Sequence, residues 1–74
     1  MIVWTLTITK NRKEDATICT TAEVCKRELR DYVEEHWNEV FDYDSPETLD
    51  EDDIYEYFSE SGESYTIEQF HVID

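Results

Sequence analysis

The chain has 74 residues, 39% of them hydrophobic and 14% aromatic, with 20 Asp and Glu against six Lys and Arg, for a formal net charge of −14. A chain this short makes one domain, residues 1–74, with a small core and no room for a substrate domain beside a scaffold. Trp4, Trp37 and five tyrosines are too many aromatics for a disordered acidic tail. No apolar run approaches the roughly 20 residues that cross a bilayer, and Met1 to Thr9 lacks the basic and apolar regions of a signal peptide, so a soluble, cytoplasmic, unsecreted domain is expected.

In chain order, Ile2, Trp4, Leu6 and Ile8 alternate with Val3, Thr5, Thr7 and Thr9, the period of a strand with one buried face. Asn11 to Asp15 reads as a five-residue polar loop, after which Ala16 to Thr20 returns as a short second strand. Thr20 and Glu23 fit a capping box at the start of a helix running to about Phe41. Its apolar stripe is Ala22, Cys25, Leu29, Tyr32, Val33, His36, Trp37 and Val40, spaced to share one side. Glu23 with Arg27 and Arg30 with Glu34 are i,i+4 partners on the outer side. The stretch from Asp42 to Pro46 breaks the helix.

A second helix starts with Asp50 as N-cap, Leu49 and Ile54 at the staple positions, and Glu51, Asp52 and Asp53 in the first turn, where the helix dipole favours acids. Ile54, Tyr57 and Phe58 face the core, Asp52, Glu56 and Glu60 form an outer row, and Gly62, the only glycine, is the natural residue after the helix. Tyr65 to Ile73 is the last strand; Tyr65, Ile67 and Ile73 share one parity and Phe70 and Val72 the other, which predicts a bulge near Gln69. The order β-β-α-α-β predicts an α+β fold, a small antiparallel three-stranded sheet with two helices packed on one face.

The charge is polarised. All six basic residues (Lys10, Arg12, Lys13, Lys26, Arg27 and Arg30) fall in the first 30 positions beside four acids, whereas Asp31 to Asp74 holds sixteen acids and no Lys or Arg. Such a one-signed field attracts cationic partners and repels nucleic acid and anionic membranes. Solubility of a small domain needs a net charge of magnitude only about 2 to 8. Glu39 and Asp42 moreover stand at a helix C-terminus, where the dipole disfavours anions by a few tenths to about 1 kcal/mol each. Stability therefore does not explain the pattern.

Catalytic and metal readings are weaker. A carboxylate acid and base pair needs a shared pocket that separates the two pKa values, and these acids lie in solvent-facing runs, so no enzyme activity and no cofactor are expected. His36 and His71 sit in apolar patterns and read as core or boundary residues. Asp42-Tyr43-Asp44 opens like a calcium loop, but Pro46 and Glu47 stand where an oxygen ligand and a glycine are required. No metal site is assigned, and only weak divalent binding at Asp50, Glu51, Asp52 and Asp53 stays open. Cys19 and Cys25 lack zinc-ligand spacing and read as reduced, buried hydrophobes.

The candidate partner-binding residues are Glu34, Glu35, Glu39, Asp42, Asp44, Glu47, Asp50, Glu51, Asp52, Asp53, Glu56 and Glu60. Acids four apart on a helix are about 6 Å apart along its axis, close to the spacing of successive phosphates, and Tyr43, Tyr55, Tyr57 and Tyr65 are interleaved with them. In its size, its lysine-free stretch from Asp31 to Asp74 and the run Asp50-Glu51-Asp52-Asp53, the chain resembles the small acidic DNA-mimic inhibitors of phages and mobile elements: anti-CRISPR proteins, anti-restriction proteins and uracil-DNA glycosylase inhibitors. The resemblance is one of physical class. It implies occlusion of the nucleic-acid site of a basic nucleic-acid-binding protein or complex, a CRISPR effector first among them, by a monomer or homodimer. The alternatives are an immunity protein or antitoxin that neutralises a basic nuclease, a chaperone of a basic protein, and a structural phage component.

Overall fold

In the computed structural model, which describes residues 1–73, the chain forms β1 (Ile2–Lys10), β2 (Lys13–Cys19), α1 (Ala22–Val40), α2 (Glu51–Ser61) and β3 (Ser64–His71). Asp74, the last acid of the sequence, lies outside the described residues. β1 is the central strand of an antiparallel sheet of order β2-β1-β3. Its alternation places Leu6 and Ile8 in one core with Cys19 of β2, Cys25, Leu29, Val33 and Trp37 of α1, and Ile54, Tyr57 and Phe58 of α2. Both helices thus cover the same face of the sheet, and the α+β architecture expected from the chain order is the one observed.

The second strand is longer, and its turn tighter, than the polar composition of Asn11 to Asp15 suggests. The ladder runs to Lys10 opposite Lys13, leaving a two-residue connection in which Asn11 and Arg12 have φ of 51° and 67°. Two successive left-handed residues are what the tightest hairpin turns demand. Asn tolerates that conformation, and without a glycine the turn is not visible in the sequence.

The N-cap of α1 is Thr21 rather than Thr20: its Oγ1 accepts a hydrogen bond from the Val24 backbone N–H at 3.2 Å. Neighbouring threonines offer the same hydroxyl, and the choice falls to the one whose backbone is extended where the helix begins. Cys25, Leu29, Val33 and Trp37 are the fully buried members of the predicted stripe, while Ala22, Tyr32, His36 and Val40 line its borders half-buried. Among the described residues Glu23 pairs with Lys26 at 3.9 Å, not with Arg27, and Arg30 makes no ion pair with Glu34.

α2 starts as expected. Asp50 accepts from the Asp53 N–H at 2.9 Å, and Asp53 accepts in return from the Asp50 N–H at 3.1 Å, which closes a reciprocal capping box. Gly62 ends the helix with φ 75°, a left-handed geometry that glycine adopts without strain. Between the helices, residues 41–50 fold back along α1: Phe41 lies on Trp37 with ring centroids 4.3 Å apart, Tyr43 meets both rings, and Leu49 is buried.

β3 carries no bulge. Its pairing with β1 is continuous from Thr9 opposite Ser64 to Ile2 opposite His71. The change of apolar parity is therefore a change of face: Tyr65 and Ile67 point toward the helices, and Phe70 points from the other side of the sheet. His71 is exposed, not a core or boundary residue, because it follows the last covered position of the strand.

Candidate partner-binding surface

Of the twelve candidate acids, eleven are exposed and Asp53 is half-buried, so the surface expected from the sequence exists as a solvated array. The fold divides it by neighbourhood. Glu34 and Glu47 border a shallow groove with Arg27 and Arg30. Asp50, Glu51 and Asp52 share a second groove of about 780 Å³ with Lys26 and Arg30, its floor formed by Leu29, Leu49, Ile54 and Ile67. The return of residues 41–50 along α1 thus brings these acids beside cations that are about 20 positions away in sequence, and part of the field is compensated there.

The remaining acids lack such compensation. Tyr43 anchors their centre: its ring is held by Trp37 and Phe41, and its carbonyl accepts from Asn38 Nδ2 at 3.1 Å. The Tyr43 phenol is pushed above its ordinary range by desolvation and then by the charges of Glu56, Asp53 and Glu60. Asp53, Glu56 and Glu60 of α2 therefore lie near enough for their charge to reach Tyr43 of the Asp42-Tyr43-Asp44 segment. At the end of α1, Glu39 Oε2 lies 3.8 Å from His36 Nε2, while His36 Nδ1 donates to the Tyr32 carbonyl at 2.9 Å. His36 is stacked on Tyr32 with centroids 4.2 Å apart. Neither helix has a basic residue in its last turn, so Glu39 and Glu60 face the negative ends of their dipoles unrelieved.

Two of the acids have structural work. Asp50 and Asp53 hold the α2 cap, and the Asp53 backbone N–H keeps the Asp50 carboxyl below its ordinary range. A third structural acid was not recognisable among the sixteen. The Glu63 side chain is only 5% exposed and lies 3.6 Å from Lys10 Nζ. It accepts from Tyr57 Oη at 2.9 Å and from Tyr32 Oη at 3.0 and 3.2 Å. This carboxylate ties α1, α2, β1 and the start of β3 together, and so sets the position of the two acidic helices relative to the sheet. Burial and the adjacent Glu63 push the Tyr32 phenol up to about 12 and raise that of Tyr57 further. The signal for Glu63 is register: extending the β1 and β3 pairing by one step sets it opposite Lys10, a cross-strand pair of opposite charge.

Cys19 and Cys25 are both free thiols and both buried. Burial, and next the hydrogen bond with Cys19, push the Cys25 thiol up to about 11, away from the thiolate form that nucleophilic chemistry needs. Among the described residues no group of three or more His, Cys, Asp or Glu side chains converges in a way that could hold a metal ion, and no helix is long and apolar enough to cross a membrane. The arrangement presents anionic groups and aromatic edges to solvent.

Compared with protein-family models, with curated proteins and with solved structures, the chain matches none of them.

Proposed function

We propose that this protein is a DNA-mimicking inhibitor that binds a basic nucleic-acid-binding effector, a CRISPR effector being the first to test, and acts by occlusion rather than catalysis. One observation carries the reading. The acids that lack cationic neighbours among the described residues run from the end of α1 through Asp42-Tyr43-Asp44 to Glu56 and Glu60 of the outer row, with the compensated Asp52 at its edge, on elements that share one core. Carboxylates at helical i,i+4 spacing stand about 6 Å apart, near the spacing of the phosphates that such an effector's channel is built to receive. Preorganisation matters here, because a fixed array loses little entropy on docking.

The test is capture and competition. The tagged protein is used to retain nucleic-acid-binding assemblies from a host lysate, and the retained assembly is then titrated with duplex DNA. Two charge reversals probe the surface: Glu35, Glu39 and Asp42 to Lys, and Asp52, Glu56 and Glu60 to Lys, the second set sparing the Asp50 and Asp53 cap. Each should weaken capture by at least about tenfold, and added salt should weaken the wild-type complex through screening over a Debye length of about 8 Å at physiological ionic strength. Full retention by both variants overturns the proposal.

A further inference from the structure

The sheet has a second face, and it is chemically unlike the rest of the molecule. The continuous register puts Val3 opposite Phe70 and sets Thr5 between Ile18 and Glu68, all on the side away from both helices. The ladder extends one step further, where the Val72 N–H donates to the Met1 carbonyl at 2.8 Å, so Met1 and Val72 join the same side. Ile18 is 74% exposed and Phe70 46% exposed. Beyond them the face continues in hydroxyls and a methyl: Thr7 lies between Ala16 and Thr66. None of the described residues covers it, and the smallest molecular dimension, 16 Å, is that of two layers, one sheet and one of helices.

Among the described residues this face carries two carboxylates, Glu14 and Glu68, both on the flanking strands, and no Lys or Arg. In a chain with a net charge of −14, such a surface has a specific meaning. A basic partner gains little from it, because Glu14 and Glu68 are its only carboxylates among the described residues. A second copy of the chain meets far less repulsion here than on the acidic helical side. We propose that two copies of the protein associate through these open sheet faces, with the patch around Val3, Ile18 and Phe70 as the contact.

Face-to-face sheets pack about 10 Å apart, and each helical layer adds a thickness of about 10–12 Å. The two acidic layers then point outward, about 30 Å apart, well beyond a Debye length of about 8 Å. The dimer keeps both acidic surfaces free and relieves the repulsion that other arrangements would incur. Three strands spaced about 4.8 Å, with eight residues rising about 3.4 Å each, span a plane of roughly 400 Å². This is about half of the ~800 Å² per partner typical of a stable complex. Assembly is therefore expected at roughly 10–100 µM rather than nanomolar concentration.

Sedimentation velocity and light scattering over about 1 µM to 1 mM test the proposal, with the wild type and the F70E and I18E variants compared at low and high salt. The wild type should pass from monomer to dimer, and the dimer should tighten severalfold as salt screens self-repulsion, the opposite sign to capture of a basic partner. F70E and I18E should each raise the dissociation constant by at least about tenfold, with unchanged circular dichroism showing that the fold persists. A wild type that stays monomeric to 1 mM in high salt overturns the proposal. So does a dimer that survives both substitutions, which would indicate pairing through strand edges, and so does loss of partner capture by F70E in a protein that never dimerises. Because capture depends on the opposite side of the molecule, a negative result here leaves the inhibitor reading intact.

Discussion

Replacing Glu63 with Ala should destabilise this domain more than removing any other acid. The substitution takes the acceptor from two phenols and the counter-ion from Lys10. Tyr57 is 1% exposed, so its hydroxyl has no water to turn to. A hydrogen bond to a charged group contributes about 1.5–3 kcal/mol net, and a buried donor left without an acceptor costs about 1–3 kcal/mol. The half-exposed Lys10 adds less than about 1 kcal/mol. Allowing for overlap, the loss is about 3–5 kcal/mol. Domains have about 0.05–0.15 kcal/mol of stability per residue, which for 74 residues is about 4–11 kcal/mol, so the variant should sit near the edge of folding. Tyr57→Phe, which removes one donor and leaves the carboxylate with Tyr32 and Lys10, should cost about 1–2 kcal/mol. The double variant should cost less than the sum of the two by at least about 1 kcal/mol, because the partners share one network. Urea unfolding followed by circular dichroism measures all three, with unchanged slopes certifying that the same surface is exposed. A Glu63→Ala midpoint within about 0.3 kcal/mol of wild type would refute the role assigned to this carboxylate.

The same cluster predicts alkaline instability. Folding raises the pKa of Tyr32 to about 12 and that of Tyr57 further, so the folded state holds these protons more tightly than the unfolded chain does. The stability they contribute is complete below about pH 10 and falls as pH rises toward 12 and beyond; melts between pH 8 and 12 should show the decline, and Tyr57→Phe should flatten it. At the start of α1, Thr21→Ala should cost about 0.5–2 kcal/mol by denaturant titration and Thr20→Ala close to nothing; equal effects would contradict the cap observed at Thr21. Thiol labelling should proceed slowly at both Cys19 and Cys25 in the native protein and rapidly in urea, with Cys25, which is 0% exposed, the slower; prompt native labelling of Cys25 would count against its packing.

Most of the fold follows from periodicity. The alternation of Ile2 to Ile8 selects the buried face of β1, and the 3.6-residue stripe from Cys25 to Trp37 selects that of α1; both patterns span many residues and average out local exceptions. What the sequence concealed are features decided by one residue or by register. The two-residue turn at Asn11 and Arg12 has no glycine to announce it. Thr20 and Thr21 are chemically equivalent caps, and backbone geometry alone separates them. The parity change before Phe70 predicts a bulge near Gln69 only if a strand has one apolar side, whereas the observed sheet exposes a second apolar patch. The candidate acids were legible as exposed, but their division was not: cations at Lys26, Arg27 and Arg30 reach Glu47, Asp50, Glu51 and Asp52 only because the connection doubles back. Glu63 was one acid among many until the pairing of β1 and β3 set it opposite Lys10.

That division separates acids the fold requires from acids it merely carries. Asp50 and Asp53 satisfy backbone donors, and Glu63 satisfies two phenols and an amine. Among the described residues Glu56 and Glu60 accept no hydrogen bond and make no ion pair, and Glu60 stands in a last turn that has no basic residue. Reversal to Lys at Glu60 should stabilise α2 by a few tenths of a kcal/mol through the dipole, and reversal at Glu56 should relieve repulsion with its neighbours by a similar amount. At Asp52, in the first turn and in one groove with Lys26 and Arg30, the same change works against the dipole and these cations and offsets that gain. The triple variant should therefore melt within about 2 °C of wild type, while partner capture falls at least tenfold. If the triple variant instead loses more than about 2 kcal/mol, the row is part of the scaffold, and the separation of structural from partner-binding acids fails with it.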